Sequence, residues 1–141
     1  MKMKEEYIFA MSGFNEKYVT SIEVFDVTRG IWRDFDFEGG ESCIGNRTKA
    51  QLVPIFEDCL ALIGGKDEYG VPTDEIIEFN VKMMKSIPTD WRLPRALSGF
   101  STCLLKSKTD FLVNFVEGVV ALCGGSDGSQ SVNSFFILSF R

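Results

Sequence analysis

Asp67 and Glu68 stand side by side, as do Asp74 and Glu75, and a single residue separates Asp34 from Asp36. Paired carboxylates are the raw material of general acid–base chemistry, one holding a proton while the other accepts one. Each pair here falls among turn-forming residues, where acids are ordinarily solvated charge. The 141 residues include no histidine, which removes the imidazole base, the Ser-His-Asp relay and His-ligated copper or iron. Cys43, Cys59, Cys103 and Cys123 lack the Cys-x-x-Cys spacing of a zinc site. Cys59, Cys103 and Cys123 lie in apolar runs and read as buried, reduced thiols. The segment Gly124-Gly125-Ser126-Asp127-Gly128-Ser129 lacks the spaced acids of a calcium loop and reads as a turn. No glycine-rich phosphate loop leads from a strand into a helix. No catalytic residue, cofactor or metal is expected.

The elements that carry these residues are short. Apolar runs of four to eight residues, rich in Val, Ile, Leu and Phe, are punctuated by Gly, Asn, Asp, Ser and Pro, which is the pattern of strands. Strands are expected at 7–11, 21–26, 32–35, 50–56, 59–63, 75–80, 83–87, 98–105, 119–123 and 134–140. The fold class is all-β. One domain suits the length. A net charge of −5 and no basic stripe argue against nucleic acid and anionic membranes as partners. No stretch reaches the roughly 18 apolar residues of a membrane span, and residues 1–13 lack the pattern of a secretion signal. The expected location is cytoplasmic.

One pattern recurs three times. Phe9-Ala10-Met11-Ser12-Gly13, Leu60-Ala61-Leu62-Ile63-Gly64-Gly65 and Val120-Ala121-Leu122-Cys123-Gly124-Gly125 each run a short apolar strand into small residues. Each is followed by a polar loop and a second apolar strand ending in an aromatic, at Ile22-Glu23-Val24-Phe25, Ile76-Ile77-Glu78-Phe79 and Asn133-Ser134-Phe135-Phe136. The spacing, on the order of 50–60 residues, is that of a blade-sized repeat. The chain resembles kelch repeats, in which an Arg precedes the first strand of a blade and a double glycine closes the second. In that family an aromatic follows on the third strand, and a Trp about seven residues later opens the fourth. Arg47, Gly64-Gly65 and Phe79 match in the middle unit, Gly13, Phe25 and Trp32 in the first, and Arg95 and Gly124-Gly125 in the last. Ser12 stands where the first unit should have glycine, and Ser86 where the second should have Trp. The third unit is stretched by about a dozen residues, which places an insertion near 106–116 with its own alternating Phe111, Val113 and Phe115.

The resemblance implies kelch-type β-propeller blades, four-stranded antiparallel meanders, with units at about 5–38, 47–91 and 95–141. Trp32 and the third-strand aromatics would fill the gaps between blades, and Arg47 and Arg95 would support blade packing. Propellers close with about four to eight blades, so about two and a half to three make an incomplete ring. The expectation is a piece of a longer protein or, second, copies that self-associate.

In an up-and-down blade the loop between second and third strands emerges on the same face as the linker between blades. Those loops are expected at 14–20, 66–74 and 126–132, with linkers at 36–46 and 88–95. Asn15, Lys17, Tyr18, Lys66, Asp67, Glu68, Tyr69, Trp91, Asp127 and Gln130 are the candidate partner-binding residues; Tyr and Trp are among the types that dominate interface hot spots. The functional expectation is a non-catalytic scaffold or adaptor that binds a protein partner through this face. The alternatives are a degenerate kelch-type enzyme or small-ligand binder with Asp67, Glu68 or Asp127 converging, and a fragment without independent activity. Without histidine, the copper-holding branch of kelch-like propellers is not expected.

Overall fold

A computed structural model of the chain describes residues 6–56, 58–105 and 118–140. The insertion expected near 106–116 lies outside the described residues. The fold is all-β, built as three antiparallel sheets that do not close on one another. Sheet 1 holds β1 (Tyr7–Phe14), β2 (Tyr18–Asp26) and β3 (Ile31–Asp34). After a short helix, α1 (Gly40–Ile44), sheet 2 holds β4 (Gln51–Phe56), β5 (Cys59–Ile63), β6 (Ile76–Asn80) and β7 (Lys85–Ile87). Sheet 3 holds β8 (Ser101–Leu105), β9 (Gly118–Cys123) and β10 (Phe135–Phe140). Every strand pairs with its neighbour in sequence, so each sheet is a meander. The ten expected strands are all present, with ends displaced by a few residues.

Side-chain alternation decides how the sheets stack. In β5, Leu60 and Leu62 point one way and Ala61 and Ile63 the other, and all four are buried. A strand covered on both faces reads as an unbroken apolar run, which is what Leu60-Ala61-Leu62-Ile63 is. Leu60, Leu62, Ile77 and Phe79 pack with Ile22, Phe37, Phe9 and Met11, joining sheet 2 to sheet 1. Val53, Ile55, Ala61, Ile63 and Ile76 pack with Phe100, Val120, Leu122 and Phe140, joining sheet 2 to sheet 3. The middle sheet is therefore sandwiched between the other two.

The two outer sheets each keep one face uncovered among the described residues. Trp32, expected to fill an inter-blade gap, instead lies on the outward face of sheet 1. It is 56% exposed, with its ring 5.1 Å from that of Phe25. Phe79, at the position in sheet 2 that matches Phe25, is fully buried and meets Phe37 edge-on at 5.3 Å. Cys103 and Cys123, expected to be buried, are exposed, because both alternate onto the outward face of sheet 3. Cys59 is half-buried, and burial together with Glu78 pushes its thiol up to about 11.

The segment 36–46 is expected as a linker, and Phe35 as the end of a strand. The stretch from Phe35 to Ile44 forms a strap across the outer edge of sheet 2. Glu38 N–H donates to the Met84 carbonyl (2.8 Å), and Ser86 N–H donates to the Glu38 carbonyl (3.2 Å). Ring contacts run from Phe9 to Phe35 to Phe37 to Phe79, edge-to-face at the first and last steps and tilted between Phe35 and Phe37, tying the strap into the core between sheets 1 and 2. The strap also explains why Ser86 stands where a Trp was expected. Its hydroxyl donates to the Glu38 carbonyl at 3.2 Å and lies 3.4 Å from Cys43 Sγ. Space for an indole is gone.

Candidate binding face

The loops that follow β5 and β9 share the backbone bonds that anchor their two ends. Gly64 N–H donates to the Glu75 carbonyl (3.0 Å), as Gly124 N–H does to that of Ser134 (2.8 Å). Thr73 N–H reaches the Gly65 carbonyl, as Val132 N–H reaches that of Gly125, both at 2.9 Å. Lys66 exchanges two backbone bonds with Thr48, and Ser126 exchanges two with Ser98. Asp67 N–H donates to the Val71 carbonyl, and Asp127 N–H to that of Gln130. The sequence allows this because the first glycine of each pair adopts φ +58° or +73°, a region where side chains are costly. In sheet 1, Ser12 takes φ +58° at the matching position.

An aspartate locks each loop. Asp67 Oδ1 accepts from the backbone N–H groups of Tyr69 and Val71, both at 2.9 Å. Asp127 Oδ1 accepts from the N–H groups of Ser129 and Gln130, each at 3.0 Å, and from the Ser129 hydroxyl at 2.9 Å. Asp127 Oδ2 meets Arg95 at 2.7 Å. These donors, the Gln130 and Ser129 backbone groups first, hold the Asp127 carboxyl down at about 2. A short polar side chain bonding back to its own loop is the usual reason Asp occupies turns.

The two loops adjoin. Gly128 packs so closely on the Pro72 ring that a Cβ there would lie 2.9 Å from Pro72 Cδ. The linkers join the same edge: Asn46 hydrogen-bonds Glu68, Arg95 pairs with Asp127, and Leu93 N–H donates to the Asp74 carbonyl at 2.7 Å. This arrangement brings together Lys66, Asp67, Glu68, Tyr69, Asp127 and Gln130. Tyr69 stands out from it, 83% exposed, on a backbone fixed by its own N–H bond. Next to it, Lys49, Ser98, Gly99, Gly125, Ser126, Ser131 and Val132 line a cavity of about 320 Å³.

Other expected residues lie elsewhere. The first loop is not 14–20 but three residues, because β1 runs through Phe14 and β2 begins at Tyr18. Asn15 and Lys17 close that hairpin through an N–H to carbonyl bond of 2.9 Å, and Tyr18 turns its ring onto Phe14. Trp91 is half-buried with its ring 5.0 Å from Phe140, inside the packing of sheets 2 and 3. Arg47 is buried, donates to the Gly64 carbonyl at 3.4 Å and pairs with Glu75. Since Thr48 and Ser98 hold matching places, Arg47 matches Leu97, and Arg95 is an exposed residue earlier in its linker. Asn46, Lys49 and Pro72 were not singled out from sequence. The repeated Gly-Gly-x-Asp at 64–67 and 124–127 is the signal that would have marked the shared loop architecture.

The acid pairs do not converge on a common point. Asp34 and Asp36 line a separate cavity of about 270 Å³ on sheet 1, whereas Asp74 lies 3.8 Å from Arg92 and Glu75 pairs with Arg47. Among the described residues, no group of three or more His, Cys, Asp or Glu is placed to hold a metal ion. No helix among them is long and apolar enough to cross a membrane. No protein-family model matches the chain, and a search of curated proteins returns no match.

Proposed function

We propose that the chain is a kelch-type, non-catalytic protein-interaction module that engages a segment of a protein partner through the adjoining loops 66–74 and 126–132. One observation carries this reading. Two loops anchored by matching backbone bonds press together at Gly128 and Pro72 while leaving Tyr69 exposed on a braced turn. An aromatic held ready costs less conformational entropy on binding than one on a floppy loop. Lys66, Glu68 and Gln130 around it provide the polar rim that interfaces need. The three sheets correspond to blades of a partial propeller, with sheet 2 the complete one. A reducing, cytoplasmic setting is supported by four cysteines of which none is in a disulfide.

The test is binding of the immobilised chain to a library of peptides and candidate domains, read by interferometry. Tyr69→Ala with Lys66→Glu should weaken the selected ligand at least about tenfold, the range of a hot-spot loss. Ile137→Asp, on a different face, should leave the same affinity intact. Binding indifferent to the Tyr69 and Lys66 changes would overturn the proposal.

A second reading has the cavity beside Lys49 as its support. A small polar ligand held there by Ser98, Ser126 and Ser131 would raise the melting temperature, and Lys49→Ala would abolish that rise.

A further inference from the structure

The faces that pack inside the chain are of two kinds, and the faces left open are one of each. At both internal junctions, the face carrying the last apolar residue before the small pair meets the opposite kind of face on the next sheet. Met11 and Phe9 of β1 pack toward Leu60 and Leu62 of β5, and Ile63 and Ala61 of β5 pack toward Val120 and Leu122 of β9. The strand registers make these positions equivalent from sheet to sheet. The outward face of sheet 3 carries Ala121, Cys123, Phe135 and Cys103, which match Ala61, Ile63, Ile76 and Val53. The outward face of sheet 1 carries Ile8, Ala10 and Phe25, which match Leu60, Leu62 and Phe79. The chain thus bears both halves of the junction that it already forms twice.

Both open faces are apolar at their centres. Ile8 is 54% exposed on sheet 1, and Phe135 and Ile137 are 66% and 61% exposed on sheet 3. Exposed apolar patches of this kind mark interaction sites. On sheet 3 the outward face, from Ser101 through Ser139, carries no charged side chain among the described residues. Glu23 and Asp34, beside Ala10 on sheet 1, therefore meet no like charge there.

We propose that the outward face of sheet 3 in one copy docks on the outward face of sheet 1 in a second copy, head to tail. Like faces do not meet inside the chain, so a symmetric pairing of sheet 3 with sheet 3 lacks the match that the two internal junctions show. A head-to-tail contact is heterologous and propagates into a ring or an open chain. This surface is separate from the loop face.

The test is sedimentation of the full chain with two single variants, Ile8→Asp and Ile137→Asp, each on an exposed position. Wild type should gain mass with concentration, and each variant alone should run as a monomer with an unchanged far-UV spectrum. An equal mixture should form a dimer at twice the monomer mass, because each variant keeps the face the other has lost. A mixture that stays monomeric, or one variant that dimerises alone, overturns the head-to-tail pairing. A wild type that stays monomeric at high concentration overturns it too, and leaves these faces to a different occupant. Acrylamide quenching of wild-type tryptophan gives a readout free of substitutions. Trp32 lies beside Phe25 on the sheet 1 face, so quenching should fall as the protein is concentrated; constant quenching counts against the contact.

Discussion

Loops 66–74 and 126–132 share their anchoring backbone bonds, a preceding glycine pair and a locking aspartate, and little else. The first presents Lys66, Glu68 and Tyr69, large and chemically distinct; the second presents Ser126, Gly128, Ser129 and Gln130, small and polar. Where a carbonyl or N–H must be satisfied, the two agree to within a few tenths of an ångström. Where a side chain meets solvent, they diverge. Stability is thus written in the residues that turn inward, the glycine pair and the locking aspartate. The outward side chains are free to be set by whatever the loops contact.

Substitutions at matched positions can break or sharpen that contrast. The largest effect is expected at Gly64, where a Cβ would lie 2.7 Å from both the Leu97 carbonyl oxygen and the Phe100 ring. Gly64→Ala should cost about 3 kcal/mol or more, from a left-handed backbone plus a clash that the core cannot relieve. Gly124 has the same handedness but open space around it, so Gly124→Ala should cost only about 1–2 kcal/mol. Urea unfolding measures both. Equal costs would mean that the two loops are braced equally by their surroundings.

Next comes Arg47, which has Leu97 as its counterpart. Arg47→Leu leaves the Gly64 carbonyl and Glu75 without their partner, a loss of about 1–3 kcal/mol. A neutral result would show that the guanidinium contributes packing alone. Asp127 provides a test that depends on pH. Its carboxyl is held at about 2 against an ordinary 3.8, so its contribution is fully present above about pH 4 and is lost as pH falls toward about 2. Asp127→Asn should lower the urea midpoint at pH 6, and the two proteins should converge as pH approaches 2. The smallest effect on stability belongs to Tyr69. Tyr69→Ala should stay within about 0.5 kcal/mol of wild type while removing ligand binding, which separates outward from inward residues most cleanly.

The strands were legible because each is a short apolar run bounded by residues that suit turns. That Leu60-Ala61-Leu62-Ile63 is covered on both faces emerged only from the stacking of the sheets. The strap was not legible. A helix of one turn at Gly40–Ile44 leaves no period to detect, and Gly39-Gly40 reads as a breaker. Burial across sheet neighbours was equally hidden. Alternation assigns Cys103 and Cys123 to one face of sheet 3, but only the stacking order shows that nothing described covers that face. At the candidate face, residue types drew attention to Tyr69 and Lys66, which lie on the first of the adjoining loops, and to Trp91, which packs on Phe140 because an aromatic suits a core as well as a surface. The hydrogen bonds shared by the two loops lie in the backbone, where side-chain identity carries little trace of them.

The strap has a consequence for the order in which the molecule can be assembled. Sheet 1 pairs only with itself and can form as soon as Asp34 has emerged from the ribosome. Phe37 and Glu38 come next, but β6 and β7, their partners, are synthesised much later. During translation Phe37 must therefore wait exposed, and the edge of sheet 2 is capped by a segment older than itself. A ribosome stalled before Lys85–Ile87 has cleared its exit tunnel would display an unlatched strap, open to a protease at Gly39, and further elongation that frees β7 would close it.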